Sequence, residues 1–176
     1  NTINEATWSA LFWLALLFSV INSVAKSFIG EKKGLFMYYY SLASPQSIII
    51  SKIIYNTILC LVLSLAAYLL FSTFIGNPVT DTGLFVLTLL LTSVGFSASL
   101  SLISGIASKA NNSNILMAVL SFPVIIALLL MAIKITKNVL DGLDRSASMD
   151  ELLNLIAINS ILTALAYILF PYIWRS

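Results

Sequence analysis

Five uninterrupted apolar stretches, each long enough to cross a lipid bilayer, constrain what this chain can fold into. A hydrocarbon core about 30 Å thick needs about 20 helical residues at about 1.5 Å each. The stretches cover residues 6–28, 48–75, 84–107, 115–136 and 152–174. They lack the period-two alternation of barrel strands, which are about 10 residues long. The sequence therefore predicts an all-α, polytopic transmembrane helix bundle that forms a single domain over residues 1–176.

The composition agrees with a chain that faces lipid rather than water. Hydrophobic residues make up 60% of it and charged residues only 9%, whereas soluble domains have about 25% charged residues. The net charge of +2 and the lack of a long basic run exclude a nucleic-acid partner. Membrane lipid is therefore the first partner that we expect.

Residue counts also exclude several kinds of chemistry. Histidine is absent, and the single cysteine, Cys60, lies inside an apolar stretch. An intrachain disulfide, histidine-based catalysis and metal sites built from histidine or several cysteines are therefore excluded. The chain has no ionisable residue in the middle of a stretch and no P-loop, so neither proton coupling nor ATP binding is expected of it. We predict no catalytic, metal-binding or cofactor-binding residue, and a separate subunit must supply any energy.

Local signals mark where several helices begin and end. Ser44 before Pro45 is typical of a helix start, with serine as the N-cap and proline in the first turn. The run from Ser148 to Glu151 has the spacing of a capping box. Residues 109–114 are a short polar turn, which predicts that the third and fourth spans pair as a helical hairpin.

The distribution of positive charges predicts the orientation of the bundle. If the linkers at 29–47 and 108–114 share one side with the C-terminus, that side has Lys26, Lys32, Lys33, Lys52, Lys109 and Arg175. The other side has only Lys134, Lys137 and Arg145. By the positive-inside rule the first side, with the C-terminus, is cytoplasmic. The first residue then lies outside, which predicts one earlier span and six spans in the intact protein.

The longest cytoplasmic linker, residues 30–47, combines charged, glycine and aromatic residues. We interpret it as a short amphipathic helix at the inner membrane surface. Its aromatic side chains are either an anchoring belt at the lipid headgroups or buried contacts for a cytoplasmic partner. The candidate docking residues are Glu31, Gly34, Phe36, Tyr38, Tyr39, Tyr40 and Pro45.

A stripe of small residues recurs every four positions in the third span. It consists of Ser93, Ser97, Ser101 and Gly105. Such stripes let helices approach closely and let hydroxyl groups bond across the interface. The stripe therefore packs within one bundle, meets a second protomer or lines a substrate path.

Four other residues inside the spans are unusual for apolar helices. Pro123 removes a backbone hydrogen bond and predicts a kink in the fourth span. The remaining three are asparagines, which we expect to hydrogen-bond neighbouring helices rather than a ligand. They are Asn22, Asn56 and Asn159.

Three stretches of the chain resemble the heme exporter protein B family, CcmB. They are the linker with the start of the second span, the hairpin of the third and fourth spans, and the C-terminal tail. The matching positions are Glu31, Gly34, Pro45 and Lys52 in the first, Gly105, Lys109 and Pro123 in the second, and Pro171 and Arg175 in the third. The likeness covers most of the chain and rests on the order and spacing of these motifs.

The chain departs from the family pattern at three places. Met37 stands where the family usually has an acid, and Ala127 stands where it has a second proline. The turn after the third span, similar to Lys-Arg-Gly-Gly in the family, is reduced to Lys109 followed by residues 110–112. These departures concern partner docking rather than the fold.

The resemblance implies a six-span, ABC-2-type permease of the bacterial inner membrane. Two copies would pair with two copies of a cytoplasmic ABC ATPase similar to CcmA, and residues 30–47 would be the coupling linker. ATP hydrolysis in the partner would be linked to release of the heme-loaded periplasmic chaperone CcmE from a separate heme-handling membrane protein. Because the chain has no histidine to ligate heme iron, we expect it to transmit ATPase motion rather than hold heme.

Two alternative functions have sequence features in common with this one. An ABC-2 permease for a drug, a lipid or a polysaccharide would have the same architecture. A non-transporting scaffold that assembles other membrane proteins would have no ATPase partner, and its aromatic linker would only anchor it to the membrane.

Overall fold

The computed structural model of the protein describes residues 4–24, 43–110 and 112–175. Over these ranges it contains five long α-helices and no β-strand. They are α1 (Glu5–Val24), α2 (Pro45–Phe74), α3 (Thr82–Ala107), α4 (Ser113–Leu140) and α5 (Met149–Arg175), with a 3-10 helix at Arg145–Ser148. All five are long and apolar enough to cross a membrane. The prediction of an all-α polytopic bundle is confirmed.

The helices extend beyond several of the predicted spans. α2 and α4 begin before residues 48 and 115, and α4 continues to Leu140 rather than stopping at residue 136. Near this end of α4, the charged Lys134 forms an ion pair with Glu151 of α5. Residues 25–28 of the first predicted span lie outside the described residues.

The short connections that follow α2, α3 and α4 make these consecutive helices antiparallel and give the bundle two ends. One end, called here the Asp81 end, holds the start of α1 and the connections at 75–81 and 141–148. The opposite end, called the Lys109 end, holds the start of α2, the turn between α3 and α4, and the end of α5.

α3 lies at the centre of the bundle. In its most apolar stretch 72% of the residues are buried, whereas the corresponding fraction in the other four helices is 22–39%. The outer faces of those four helices expose large apolar side chains, as expected for helices that face lipid. The helix with the small-residue stripe is therefore the one that the other helices surround.

An aromatic cluster packs α1, α2 and α3 together at the Asp81 end. The rings of Trp8 and Phe12 in α1 stack with centroids 5.3 Å apart and contact Phe71 of α2 and Phe85 of α3. The indole N–H of Trp8 also donates to the Gly76 carbonyl oxygen at 3.0 Å. Gly76 ends α2 with a φ of +107°, a backbone conformation that favours glycine.

Polar side chains begin the helices much as the sequence indicates. The Ser44 hydroxyl accepts a hydrogen bond from the Ser47 amide at 3.3 Å, and Pro45 is the first residue of α2. The capping-box residues before α5 are used differently. The Ser148 hydroxyl accepts from the Asn138 side chain at 2.9 Å, and Glu151 forms an ion pair with Lys134.

Asp81 joins the two connections of the Asp81 end. Its Oδ1 accepts a hydrogen bond from the Leu84 amide at 3.0 Å and so caps α3. Its two carboxylate oxygens also accept from Arg145, with Nε at 2.6 Å and Nη2 at 3.0 Å. This paired geometry holds the start of α3 against the 3-10 helix before α5.

Arg145 lowers the pKa of Asp81 from its ordinary 3.8 to about 2, chiefly through the side-chain hydrogen bonds. Because the folded state has the lower pKa, the ion pair stabilises the fold fully above about pH 4. That stabilisation is lost as the pH falls through about 2. We expect wild type to unfold in detergent at a higher temperature than Arg145→Gln near neutral pH, with the difference disappearing over this acid range.

Circular dichroism during a thermal ramp measures this difference at each pH. The matched control is Lys109→Gln, which removes an exposed cation at the opposite end. The difference between its unfolding temperature and that of wild type should not change with pH. If Arg145→Gln still unfolds at a lower temperature than wild type at the lowest pH, the assignment of the ion pair would be contradicted.

Candidate functional site

Most of the predicted docking residues in the coupling linker lie outside the described residues. These are Glu31, Gly34, Phe36, Tyr38, Tyr39 and Tyr40. Pro45 lies inside them, half-buried in the first turn of α2 and directly after the Ser44 cap. The described part of the site is therefore the helix that follows the linker and the contacts of that helix.

The first turns of α2 pack against α3 and the end of α5 in a separate hydrophobic cluster. Ile49 is fully buried there, and the Phe170 and Trp174 rings of α5 lie 5.6 Å apart. The buried members of this cluster are Ile48, Ile49 and Ile53 of α2, Ala98 and Leu102 of α3, and Ala166, Phe170 and Trp174 of α5. A displacement at the start of α2 therefore acts directly on both α3 and α5.

One to two turns further along, α2 is hydrogen-bonded to α3 by side chains. The Asn56 amide Nδ2 donates to the Ser101 hydroxyl at 2.8 Å. The Thr57 and Ser97 hydroxyls lie 2.5 Å apart in a second bond. We call these four residues the polar seam. Ser97 and Ser101 are fully buried and Asn56 is 2% exposed, so water competes little for these bonds.

The structure places the whole small-residue stripe inside the single chain. Ser97 and Ser101 are bonded to α2, and Ser93 and Gly105 are buried in the same helix. This placement favours packing within one bundle over an exposed protomer interface for these four residues. The spacing of the stripe indicated close approach, but it could not indicate that α2 supplies the hydrogen-bonding partners.

A third polar contact joins α3 to α5. The Asn159 amide Nδ2 donates to the Leu91 carbonyl oxygen at 2.8 Å. Gly95 makes this approach possible, because a Cβ atom there would lie 2.5 Å from Asn159 Oδ1 and 2.8 Å from Leu128 Cδ2. α3 thus has α2 bonded on one side and α5 on another.

Two of the three intramembrane asparagines join helices as predicted, and one does not. Asn56 and Asn159 bond α3 from α2 and α5. Asn22 is exposed, and its Nδ2 donates to the Phe18 carbonyl oxygen of its own helix at 3.0 Å. The expectation for Asn22 is wrong because its exposed side chain lies beside the open cavity between α1 and α4, where it bonds the backbone of its own helix.

Two other features of α4 were read from the sequence. Lys134 is paired with the buried Glu151 of α5 rather than only reaching for the membrane surface. This ion pair joins the two helices on either side of the 141–148 connection. Nothing in the sequence around either residue indicates that the other is its partner. α4 is continuous through Pro123, whose ring is exposed, and the kink stays a prediction.

The described contacts of the site are side-chain hydrogen bonds and hydrophobic packing between helices. Among residues 4–24, 43–110 and 112–175, no group of three His, Cys, Asp or Glu side chains could hold a metal ion. Cys60 is fully buried in α2. What the arrangement provides is a route from the linker through α2 to the central helix and α5.

Comparison with known proteins assigns the chain to a family. The family model described as CcmB protein matches residues 3–169 of the 176-residue chain. The curated proteins and the solved structures gave no match. The match covers the linker, the polar seam, all of the first four helices and α5 as far as residue 169. The chain belongs to the CcmB family, whose members are non-enzymatic, multi-pass membrane components of the heme exporter for cytochrome c maturation.

Proposed function

We propose that this chain couples ATP hydrolysis in a cytoplasmic ATPase to heme delivery, or to release of the heme-loaded periplasmic chaperone. The observation that carries the proposal is the polar seam. α2 begins with the last residues of the linker, and Asn56 and Thr57 bond it to buried serines of the central helix. A displacement of the start of α2 by the ATPase therefore reaches the middle of the bundle through one continuous helix.

The packing at the Lys109 end supports the same direction of transmission. Ile49 and Ile53 lie in one hydrophobic cluster with Phe170 of α5. Because packed interiors are dense and resist compression, movement of α2 must be followed by these neighbours. At the Asp81 end, the aromatic cluster and the Asp81–Arg145 pair join the helices again. Motion that enters at one end is thereby delivered to the other.

In this proposal the orientation is inferred from the charge distribution, and the assembly is inferred from membership of the CcmB family. The Lys109 end faces the cytoplasm, where residues 30–47 dock on the ATPase, and the Asp81 end faces the periplasm. Two copies of the chain pair with two copies of a CcmA-like ATPase. The partners on the periplasmic side are a heme-handling membrane protein and the heme chaperone. The chain itself binds neither ATP nor heme.

The test replaces the three linker tyrosines in the full-length protein. Tyr38, Tyr39 and Tyr40 changed together to Ala are expected to remove the ATPase from the purified complex and to stop production of c-type cytochromes. The reason is that buried aromatic anchors supply much of the binding energy at protein interfaces. The readouts are co-purification of the ATPase in mild detergent and heme staining of c-type cytochromes in a bacterial strain that lacks its own CcmB.

Two controls separate docking from folding. The matched change of the same three tyrosines to Phe keeps the rings and should retain the ATPase. Tyr172→Ala removes an exposed ring on α5 and should have no effect on either readout. Retention of the ATPase by the Ala variant would contradict docking by the linker. If the complex with the ATPase is intact but the strain makes c-type cytochromes without it, a different cargo would be favoured.

A further inference from the structure

A small cavity lies between α1 and α4 at the Asp81 end, away from the polar seam. Its volume is about 280 Å³. Ala6, Ala10 and Ile133 form its apolar wall, and Glu5, Lys137 and Asp141 form a charged rim. The helices change there from apolar to charged, so the cavity lies at the level where lipid headgroups meet the hydrocarbon core.

The three charges on the rim are unpaired, unlike others at the same end. Asp81 is paired with Arg145, and Lys134 is paired with Glu151. By contrast, within the described parts of the chain the side chains of Glu5, Lys137 and Asp141 form no ion pair or hydrogen bond. Lys137 and Asp141 are four residues apart on one helix face, a spacing that permits pairing. The rim therefore presents one cation and two carboxylates that are available to a ligand.

Ser9 supplies an independent observation at the same place. It lines the cavity, is only 3% exposed, and its hydroxyl has no hydrogen-bond partner among the described residues. A buried hydroxyl without a partner costs free energy, and most serines in helices avoid the cost by bonding a carbonyl one turn earlier. A ligand with a hydrogen-bond acceptor, such as a phosphate oxygen, would satisfy the Ser9 hydroxyl.

We propose that this cavity binds the headgroup of a zwitterionic phospholipid that carries a primary ammonium group. Lys137 and the Ser9 hydroxyl bind the phosphate, and the carboxylates of Glu5 and Asp141 accept hydrogen bonds from the ammonium. Both signs of charge on the rim are thereby matched by one ligand. A phospholipid with an anionic headgroup would leave the two carboxylates unpaired and close to its negative charge.

The same pair of helices provides a path for an acyl chain. A second cavity of about 350 Å³ lies between α1 and α4 nearer the Lys109 end, with Leu17, Ile21 and Ile125 among its mostly apolar lining. Both cavities open along the crease between the two helices. An acyl chain attached to a headgroup at Glu5 and Asp141 can follow this crease toward the membrane centre. This favours a lipid over a free zwitterion of the same charge pattern.

The test is native mass spectrometry of the delipidated full-length protein incubated with equal amounts of phosphatidylethanolamine and phosphatidylglycerol. We expect phosphatidylethanolamine adducts to predominate. The double variant Glu5→Gln with Asp141→Asn should lower these adducts about tenfold, because it removes the acceptors for the ammonium. Lys137→Gln should lower the adducts of both lipids. The matched control, Asp144→Asn with Asp150→Asn, changes the charge equally at the same end and should leave the adducts unchanged.

Three outcomes would overturn the proposal. One is equal retention of the two lipids by wild type. Another is an equal loss of adducts in the control and the rim variant, because general electrostatics would then explain the binding. The third is the formation of disulfide-linked dimers in membranes by an Ala10→Cys variant whose Cys60 is replaced by Ser. Such dimers would show that a second copy of the chain occupies the crease. Ethanolamine phosphate, which has the headgroup charges but no acyl chains, tests whether the ligand is a lipid or a free zwitterion. We expect it not to compete with the lipid.

Discussion

Replacing Gly95 with leucine is expected to leave no folded protein in the membrane. Even a Cβ atom at this position would lie 2.5 Å from Asn159 Oδ1 and 2.8 Å from Leu128 Cδ2, so both of these buried side chains would have to move. Three further carbons exceed the space that a dense interior can supply by moving two side chains. Because α3 packs against all four other helices, its displacement weakens the contacts of each of them.

A smaller substitution at the same position gives a graded result. Gly95→Ala should destabilise the protein by about 1–3 kcal/mol, the ordinary cost of overpacking a dense interior. Removing the opposing amide in the double variant Gly95→Ala with Asn159→Ala should recover part of this loss, since Leu128 still restricts the space. Thermal unfolding in detergent and the yield of monodisperse protein measure both effects.

The control is Ala157→Leu, which adds the same three carbons beyond Cβ to an exposed position of α5. It should change neither the yield nor the unfolding temperature. Normal yield of Gly95→Leu would show that α3 does not approach α5 as closely as the structure indicates.

Breaking the polar seam should lower function severalfold while leaving the protein folded. Asn56→Leu together with Thr57→Val removes the two bonds of the polar seam and keeps similar volume. Hydrogen bonds between membrane helices contribute about 0.6 kcal/mol on average, so the bundle is expected to survive. The same loss weakens the link between linker and central helix, and we expect c-type cytochromes to fall about fivefold to tenfold.

The readouts separate coupling from assembly. The amount of membrane protein and the amount of co-purified ATPase should stay near wild type. Thr73→Val is the matched control, because Thr73 is on the same helix and its hydroxyl bonds only carbonyls of that helix. Wild-type levels of c-type cytochromes in the seam variant would show that α2 and α3 need no side-chain bond to act together.

The features that the sequence could predict depend on neighbours along the chain. Five apolar stretches of membrane length predict five helices regardless of packing, and the Ser44 cap involves residues only three positions apart. The serine spacing on α3 indicated close approach for the same reason, since residues four apart share a helix face.

The features that could not be predicted depend on which faces meet. The stripe gives no information that Asn56 and Thr57 are the partners of Ser101 and Ser97, because those contacts span 45 and 40 residues. The Lys134–Glu151 pair is similar: each charge alone is typical of a helix end near the membrane surface. Asn22 shows the converse, since its residue type suggested a helix contact and its position on the outer face prevents one.

The central claim is that α2 and α3 move as one body when the ATPase acts on the linker. The most direct test joins them covalently by Thr57→Cys and Ser97→Cys, in a chain whose buried Cys60 is replaced by Ser. Production of c-type cytochromes is measured in cells before and after oxidation of the cysteine pair. We expect production after oxidation to be at least as high as before it, because the disulfide replaces the lost Thr57–Ser97 bond and fixes a contact that is kept throughout the cycle. Loss of c-type cytochromes on oxidation, with the ATPase still bound and recovery on reduction, would show that α2 must slide past α3 and would contradict the claim.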